Sequence, residues 1–309
     1  MTRGGRSDTR LVAVPASINE VVDLLELEPL EGGVFRGRQP VNSRLKRVFG
    51  GQVAAQATMA AQLTVPDDRR IHSLHAYFIL GGDPSIPIVY DVENVRDGRS
   101  FTTRRVAARQ HGEIIFYMTA SFQRDEEGWE HQDAMPDIGS PEDATPMSDL
   151  ISLIDEGSVD QWHAEWGGYD MRYVSGGRAA DDPSTERVPA IQRMWFKAAG
   201  ELPDDPRIHN SAFTYYSDFS LLGASLVPHG LIINSPQVSP ASLDHTVWFH
   251  RPFRTDEWLL YDQTSPWAGS SRGFSTAKVY SQDGTLVASV AQEGLIRPRR
   301  CPRPPAMGR

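Results

Sequence analysis

The stretch YYSDFSLLG (215–223) sets one carboxylate, Asp218, inside an apolar and aromatic run. A carboxylate can take a proton from water as a general base. It can equally cap a helix, where it accepts N–H bonds from the first turn and suits the helix dipole. Other residues suggest chemistry and lose it on spacing. GSSRG (269–273) fits the G-x-S-x-G elbow of serine hydrolases. That motif needs a helix after it, whereas GFSTAKVY reads as a strand, and no histidine follows Ser271. His72 and His75 lie three apart in a predicted strand, so they face opposite ways and make poor joint metal ligands. Asp244 and His245 are neighbours in a strand and also diverge, so His245 reads as the partner of a buried polar group. Cys301 is the one cysteine, in a basic, proline-rich tail. It excludes an internal disulfide, argues against a cysteine nucleophile and fits a cytoplasmic setting.

The elements that must position Asp218 come from a chain of 309 residues, long enough for about two domains. Its 39% hydrophobic and 23% charged residues are ordinary for a folded protein. A net charge of −9 leaves no basic surplus for nucleic acid. No apolar run approaches the roughly 20 residues that span a bilayer, and the polar start MTRGGRSDTR lacks a signal-peptide core.

Residues 1–16 read as a loose tail. SINEVVDLLELE then places Ser17 and Glu20 at capping-box spacing ahead of leucines at helical spacing. FGGQVAAQATMAAQLTV (49–65) predicts a helix buried on most sides. HSLHAYFIL, IPIVYDVENV, SFTTRRVAARQ and IIFYMTASF read as strands separated by the turns GGDP, RDGR and HGE. An antiparallel sheet packed on the helix follows. The first unit is thus 17–124. Residues 125–189 are acidic, rich in glycine and proline, and read as a linker or insertion. A second unit, 190–298, repeats the order of helix then strands, with the helix expected in YYSDFSLLGASLV. Residues 299–309 form a basic tail.

The two units answer one another in sequence. IVYDVEN pairs with LLYDQTS, and RSFTTRRV (99–106) with RGFSTAKV (272–279). This alignment puts Asp218 near Phe49-Gly50-Gly51, at the start of the central helix. It puts Gln292 opposite Ala120. Each position is polar in one unit only, which makes both candidates for a site kept by one half.

The segments RVFGGQVAAQA, HSLHAYFILGGDP, YYSDFSLL, SLDHTVWFHRPF, EWLLYDQTSP and VASVAQEGLIR resemble the acyl-CoA thioesterase II (TesB-like) family in order, across most of 18–297. The resemblance implies an α+β double hot-dog: two antiparallel sheets, each wrapping a central helix, duplicated in one chain. It implies hydrolysis of acyl-CoA to fatty acid and CoA with no metal and no cofactor, and further self-association into a homo-oligomer. The family's water-holding group would be Asp218, Ser242 and Gln292. Ser242 stands where threonine is usual, keeping the hydroxyl and losing a methyl. Backbone N–H groups of Gly50 and Gly51, at a helix start, are candidate oxyanion donors. Arg99, Arg104, Arg105 and Arg272 are candidate contacts for the CoA phosphates. Val53, Ala57 and Leu221 are candidate linings of an acyl channel. Two alternatives stay open: a hot-dog enoyl-CoA hydratase or dehydratase, and a non-catalytic acyl-CoA-binding protein.

Overall fold

The computed structural model describes residues 17–40, 46–154, 158–176, 188–233 and 235–299. The expected tail 1–16 and Cys301 lie outside them, as do parts of 125–189. The first half contains α1 (Ile18–Leu25), β1 (Glu28–Pro29), β2 (Val34–Gly37), α2 (Gly50–Gln62), β3 (Arg70–Phe78), β4 (Ile88–Asp97), β5 (Phe101–Gln110) and β6 (Glu113–Gln123). Then come β7 (Thr145–Pro146), α3 (Met147–Ile154), α4 (Ser158–Trp166) and β8 (Tyr169–Gly176). The second half contains β9 (Ile191–Ala198), α5 (Pro206–Ser217), β10 (Val238–Ser242), β11 (Asp244–Phe249), β12 (Leu259–Gly269), β13 (Arg272–Ser281) and β14 (Leu286–Pro298).

The strands form one antiparallel sheet in the order β1-β2-β4-β5-β6-β3-β11-β14-β13-β12-β9-β8-β7, with β10 also pairing β14. The order reads alike from both ends: β2-β4-β5-β6-β3 mirrors β9-β12-β13-β14-β11. The halves meet where β3 pairs β11, from Asp244 opposite Tyr77 to Trp248 opposite Ser73. The inner face holds the two long helices. α2 is buried from Gly51 to Gln62, as its alanine-rich sequence predicts, and lies on β3 to β6. α5 runs antiparallel to it. At one end Gln62 donates to the Arg207 carbonyl and to Ser211 Oγ. At the other, a Cβ added to Gly51 would lie 2.2 Å from the Tyr215 carbonyl oxygen, so only glycine permits this approach. This is a double hot-dog.

Three expectations need correction. The second central helix does not start at Asp218 but ends there. Asp205 caps its N-terminus by accepting from Arg207 N–H at 2.9 Å, and Pro206 takes the first turn. PDDP is therefore a helix start, and Asp218 is the C-cap. The segment 125–189 is also more than a linker. β8 pairs β9 from Tyr169 opposite Ala198, and Tyr169 and Met171 enter the core. Finally, the ladders pair Tyr90 with Ala108 and Tyr261 with Val279, so Arg104 is the counterpart of Ser275 and the match of RSFTTRRV with RGFSTAKV is two residues out of register. Arg104 pairs with Ala120 and Ser275 with Gln292, so Gln292 stands opposite Ala120 as expected.

Candidate active site

Asp218 lies at the C-terminal end of α5, where unsatisfied carbonyls and the helix dipole disfavour a negative charge. The antiparallel packing supplies the opposite end of another helix. α2 has Phe49 at its N-cap, which offers no side-chain cap. Asp218 fills that role from the other half and accepts from the Gly51 N–H. Its charge thus faces the positive end of α2. A Cβ on Gly50 would come within 2.6 Å of Asp218 Oδ2 and 2.9 Å of the Phe78 ring.

Two further donors meet the same carboxylate. Gln292 Nε2 donates to Oδ1 at 2.5 Å, and Ser242 Oγ donates to Oδ1 at 3.1 Å. Ser242 reaches inward because the chain slips by one residue between β10 and β11. It pairs with Gly294, whereas Thr246 pairs with Ala291. Both donors use Oδ1, which leaves Oδ2 towards Gly50. Asp218 is only 8% exposed. Burial pushes its carboxyl up to about 6, against the Gln292, Ser242 and Gly51 hydrogen bonds, which pull it down. The group is therefore ionised at neutral pH yet ready to accept a proton.

The end of α5 is held from behind. Tyr261 Oη donates to the Ser217 carbonyl at 2.8 Å. Ser217 Oγ donates to the Thr214 carbonyl, so its lone pair accepts from His245 Nε2 at 2.8 Å. His245 is fully buried, and burial pushes its pKa down to about 3, so it stays neutral. It is a structural partner, as its place in the strand predicts. Asp244 points elsewhere and accepts from the Glu293 N–H at 2.7 Å.

An aromatic cluster flanks the carboxylate. Trp166 lies 4.3 Å from Phe219 and 5.2 Å from Phe49 between ring centroids, and Trp162 lies 5.6 Å from Phe219. Phe49 precedes Gly50 and Phe219 follows Asp218 in the chain. Both tryptophans come from α4, and sequence reasoning missed them because their neighbours are chosen by tertiary packing. Val53, Ala57 and Leu221 belong to the packed core.

The four arginines do not gather at the carboxylate. Arg104 is 2% exposed and is withdrawn as a phosphate contact. Its guanidinium donates to the Thr64 carbonyl and hydroxyl just beyond α2, and to Asp97. Arg105 is exposed and pairs with Glu93. Arg272 pairs with Glu293 at 3.3 Å and lies over Trp267. Arg99 is exposed in the β4–β5 turn. Arg47, not singled out by sequence, is exposed three residues before Gly50. GSSRG closes the β12–β13 hairpin, with Ser270 and Ser271 at positive φ, and not a strand–helix elbow.

Among the described residues no group of three or more His, Cys, Asp or Glu could hold a metal ion, and no helix is long and apolar enough to cross a membrane.

Comparison with known proteins agrees across both halves. Residues 182–295 match the family model described as acyl-CoA thioesterase, and residues 39–123 match the acyl-CoA thioesterase N-terminal domain. The chain is 39% identical to acyl-CoA thioesterase 2 of Haemophilus influenzae, over 91% of this chain and 98% of that one. It is 39% identical to acyl-coenzyme A thioesterase 8 of Homo sapiens, over 90% and 88%. Among solved structures, an acyl-CoA thioesterase II from Mycobacterium marinum superposes with a TM-score of 0.76 at 43% identity, covering 90% of this chain and 98% of that chain.

Proposed function

The chain belongs to the acyl-CoA thioesterase II family and is an acyl-CoA thioester hydrolase, and from that premise we propose that it cleaves fatty acyl-CoA by direct attack of a water aimed by Asp218, Ser242 and Gln292. The observation that carries this reading is the division of labour on one carboxylate. Two donors anchor Oδ1, while Oδ2 faces the start of α2. Oδ2 takes a proton from water as the water oxygen bonds to the thioester carbonyl carbon. The remaining N–H of Gln292 and the lone pairs of Ser242 direct that water. The tetrahedral intermediate collapses, the carbon–sulfur bond breaks, and the proton passes to the departing thiolate. Free acid and CoA result.

Gly51 N–H is engaged by Asp218. Gly50 N–H, at the positive end of α2, is therefore the donor assigned to the oxyanion. Phe49, Trp162, Trp166 and Phe219 give the acyl chain an apolar wall beside the reacting carbonyl. Arg47, Arg99, Arg105 and Arg272 are exposed cations suited to the CoA phosphates. Self-association belongs to the same reading, and the native mass in solution tests it.

The test is release of free thiol from acyl-CoAs of increasing chain length. Wild-type turnover that collapses in Asp218→Ala, with the fold intact by circular dichroism, is the expected result. Saturable CoA binding without thiol release would favour a binding protein. Hydration of an enoyl-CoA without thiol release would favour a hydratase.

A further inference from the structure

Behind the site lies a row of buried polar atoms that the reaction above does not use. Gln263 on β12, Ser275 on β13 and Gln292 on β14 are each 0% exposed on the inner face of the second half. Ser275 stands directly opposite Gln292, and Gln263, opposite Ala277, is diagonal to Ser275. Gln263 Nε2, Ser275 Oγ and Gln292 Oε1 have no hydrogen-bond partner among the described residues. Buried polar atoms are rarely left so, because each costs free energy without a partner.

The three atoms are chemically complementary. Gln263 Nε2 can only donate, Gln292 Oε1 can only accept, and the Ser275 hydroxyl between them can do both. Their outer ends are already fixed. Ser220 Oγ donates to Gln263 Oε1 at 3.2 Å, and Gln292 Nε2 donates to Asp218. Ser220 follows Asp218 by two residues, so the row starts and ends on one segment.

We propose that Ser275 is a positioning residue for catalysis, joined to Gln263 and Gln292 directly or through one bound water, so that Ser220, Gln263, Ser275, Gln292 and Asp218 form one hydrogen-bonded circuit. Its task is to choose the orientation of the Gln292 amide. With a donor held against Oε1, the NH2 group must face Asp218. Without it the amide can turn, and its oxygen would then oppose the carboxylate. The first half lacks the circuit: register places Val92, Arg104 and Ala120 at the three positions. The inference rests on the proposed roles of Asp218 and Gln292.

Thiol release from one good acyl-CoA tests it, with kcat and KM separated. Ser275→Ala should lower kcat about 10-fold with KM within about 2-fold, and Ser275→Thr, which keeps the hydroxyl, should recover most of the loss. In a Gln292→Ala background, Ser275→Ala should cost less than about 2-fold more, since its partner is gone. A purely structural serine would instead give additive losses, which would overturn the inference. Unchanged kcat in Ser275→Ala would overturn it too. If Ser275→Ala does not fold, Gln263→Met removes the neighbouring donor at similar volume. A kcat loss of about 3-fold is then expected, and no loss counts against the circuit. Asp218→Asn, run alongside, separates the two ideas. Loss there with full activity in Ser275→Ala rejects only the circuit, whereas activity retained in Asp218→Asn rejects the base and the circuit with it.

Discussion

The end of α2 and the end of α5 are the same place in two copies of one fold, and only one of them carries a buried carboxylate. Both helices stop on a C-cap in right-handed helical geometry, at Leu63 and at Asp218. Leu63 is 42% exposed, whereas Asp218 is buried. Over α5 the sheet offers Ser275 and Gln292; over α2 the corresponding positions are Arg104 and Ala120. Arg104 turns inward and satisfies the carbonyl and hydroxyl of Thr64, so the first half closes its helix end with a side chain. The second half leaves its helix end to a carboxylate and borrows its capping N–H from the first half. The difference teaches that the backbone supplies the junction and a few side chains decide whether it is plugged or holds a carboxylate. It also shows that the candidate site draws on both halves: the carboxylate sits on one helix, and the positive helix end facing it belongs to the other.

The largest expected effect follows from removing the proposed base. Asp218→Ala should reduce kcat by about 100-fold or more, measured by thiol release with circular dichroism unchanged. Next comes the borrowed helix end. Gly50→Ala puts a methyl 2.6 Å from Asp218 Oδ2 and 2.9 Å from Phe78, so the carboxylate must move. A loss of about 10-fold or more in kcat is expected, and full activity would show that the approach is not needed.

The third prediction concerns stability. The carboxyl is raised to about 6 in the fold from its ordinary value of 3.8. Between those values the native state holds the proton more tightly than the unfolded chain, so stability falls as pH rises from about 4 to about 6. Asp218→Asn should therefore stabilise the protein at pH 7–8, by up to about 3 kcal/mol, and the gain should vanish towards pH 4. Thermal melts at the two pH values check both sign and window. The smallest effect tests the comparison by imitation. Leu63→Asp in an Asp218→Ala background should restore no measurable turnover, because Ala120 and Arg104 still occupy the first half's junction; recovered thiol release would make the carboxylate alone sufficient.

Much of this was legible in the residues. Ser17 caps α1 by accepting from the Glu20 N–H, and the alanine-rich run became a helix buried from Gly51 onwards. The predicted first-half strands became β3 to β6, because alternating apolar residues fit a sheet with one covered face. The duplication was legible as well, since matched turns keep matched strands in step. What failed was the placement of α5. YYSDFSLL is apolar enough to look like a helix start, and PDDP looks like a loop, yet Asp205-Pro206 is a cap followed by a first-turn proline. The role of Asp218 as a cap was therefore right in kind but belonged to a different helix. The matched turns gave Ala120 as the counterpart of Gln292, whereas the likeness of RSFTTRRV to RGFSTAKV misleads by two residues, because register is fixed by cross-strand pairing. Trp162 and Trp166 carry no local signal at all, since the residues they meet lie far away in sequence.

The most direct test of the central claim is the pH dependence of kcat/KM for thiol release, in the wild type and in Gln292→Ala. One ionisation near pH 6 should govern the acidic limb, with activity rising as Asp218 loses its proton. Because the Gln292 hydrogen bond pulls that pKa down, the limb should move to higher pH in the variant. A limb near pH 4, or one that Gln292→Ala leaves in place, would contradict a buried Asp218 as the base.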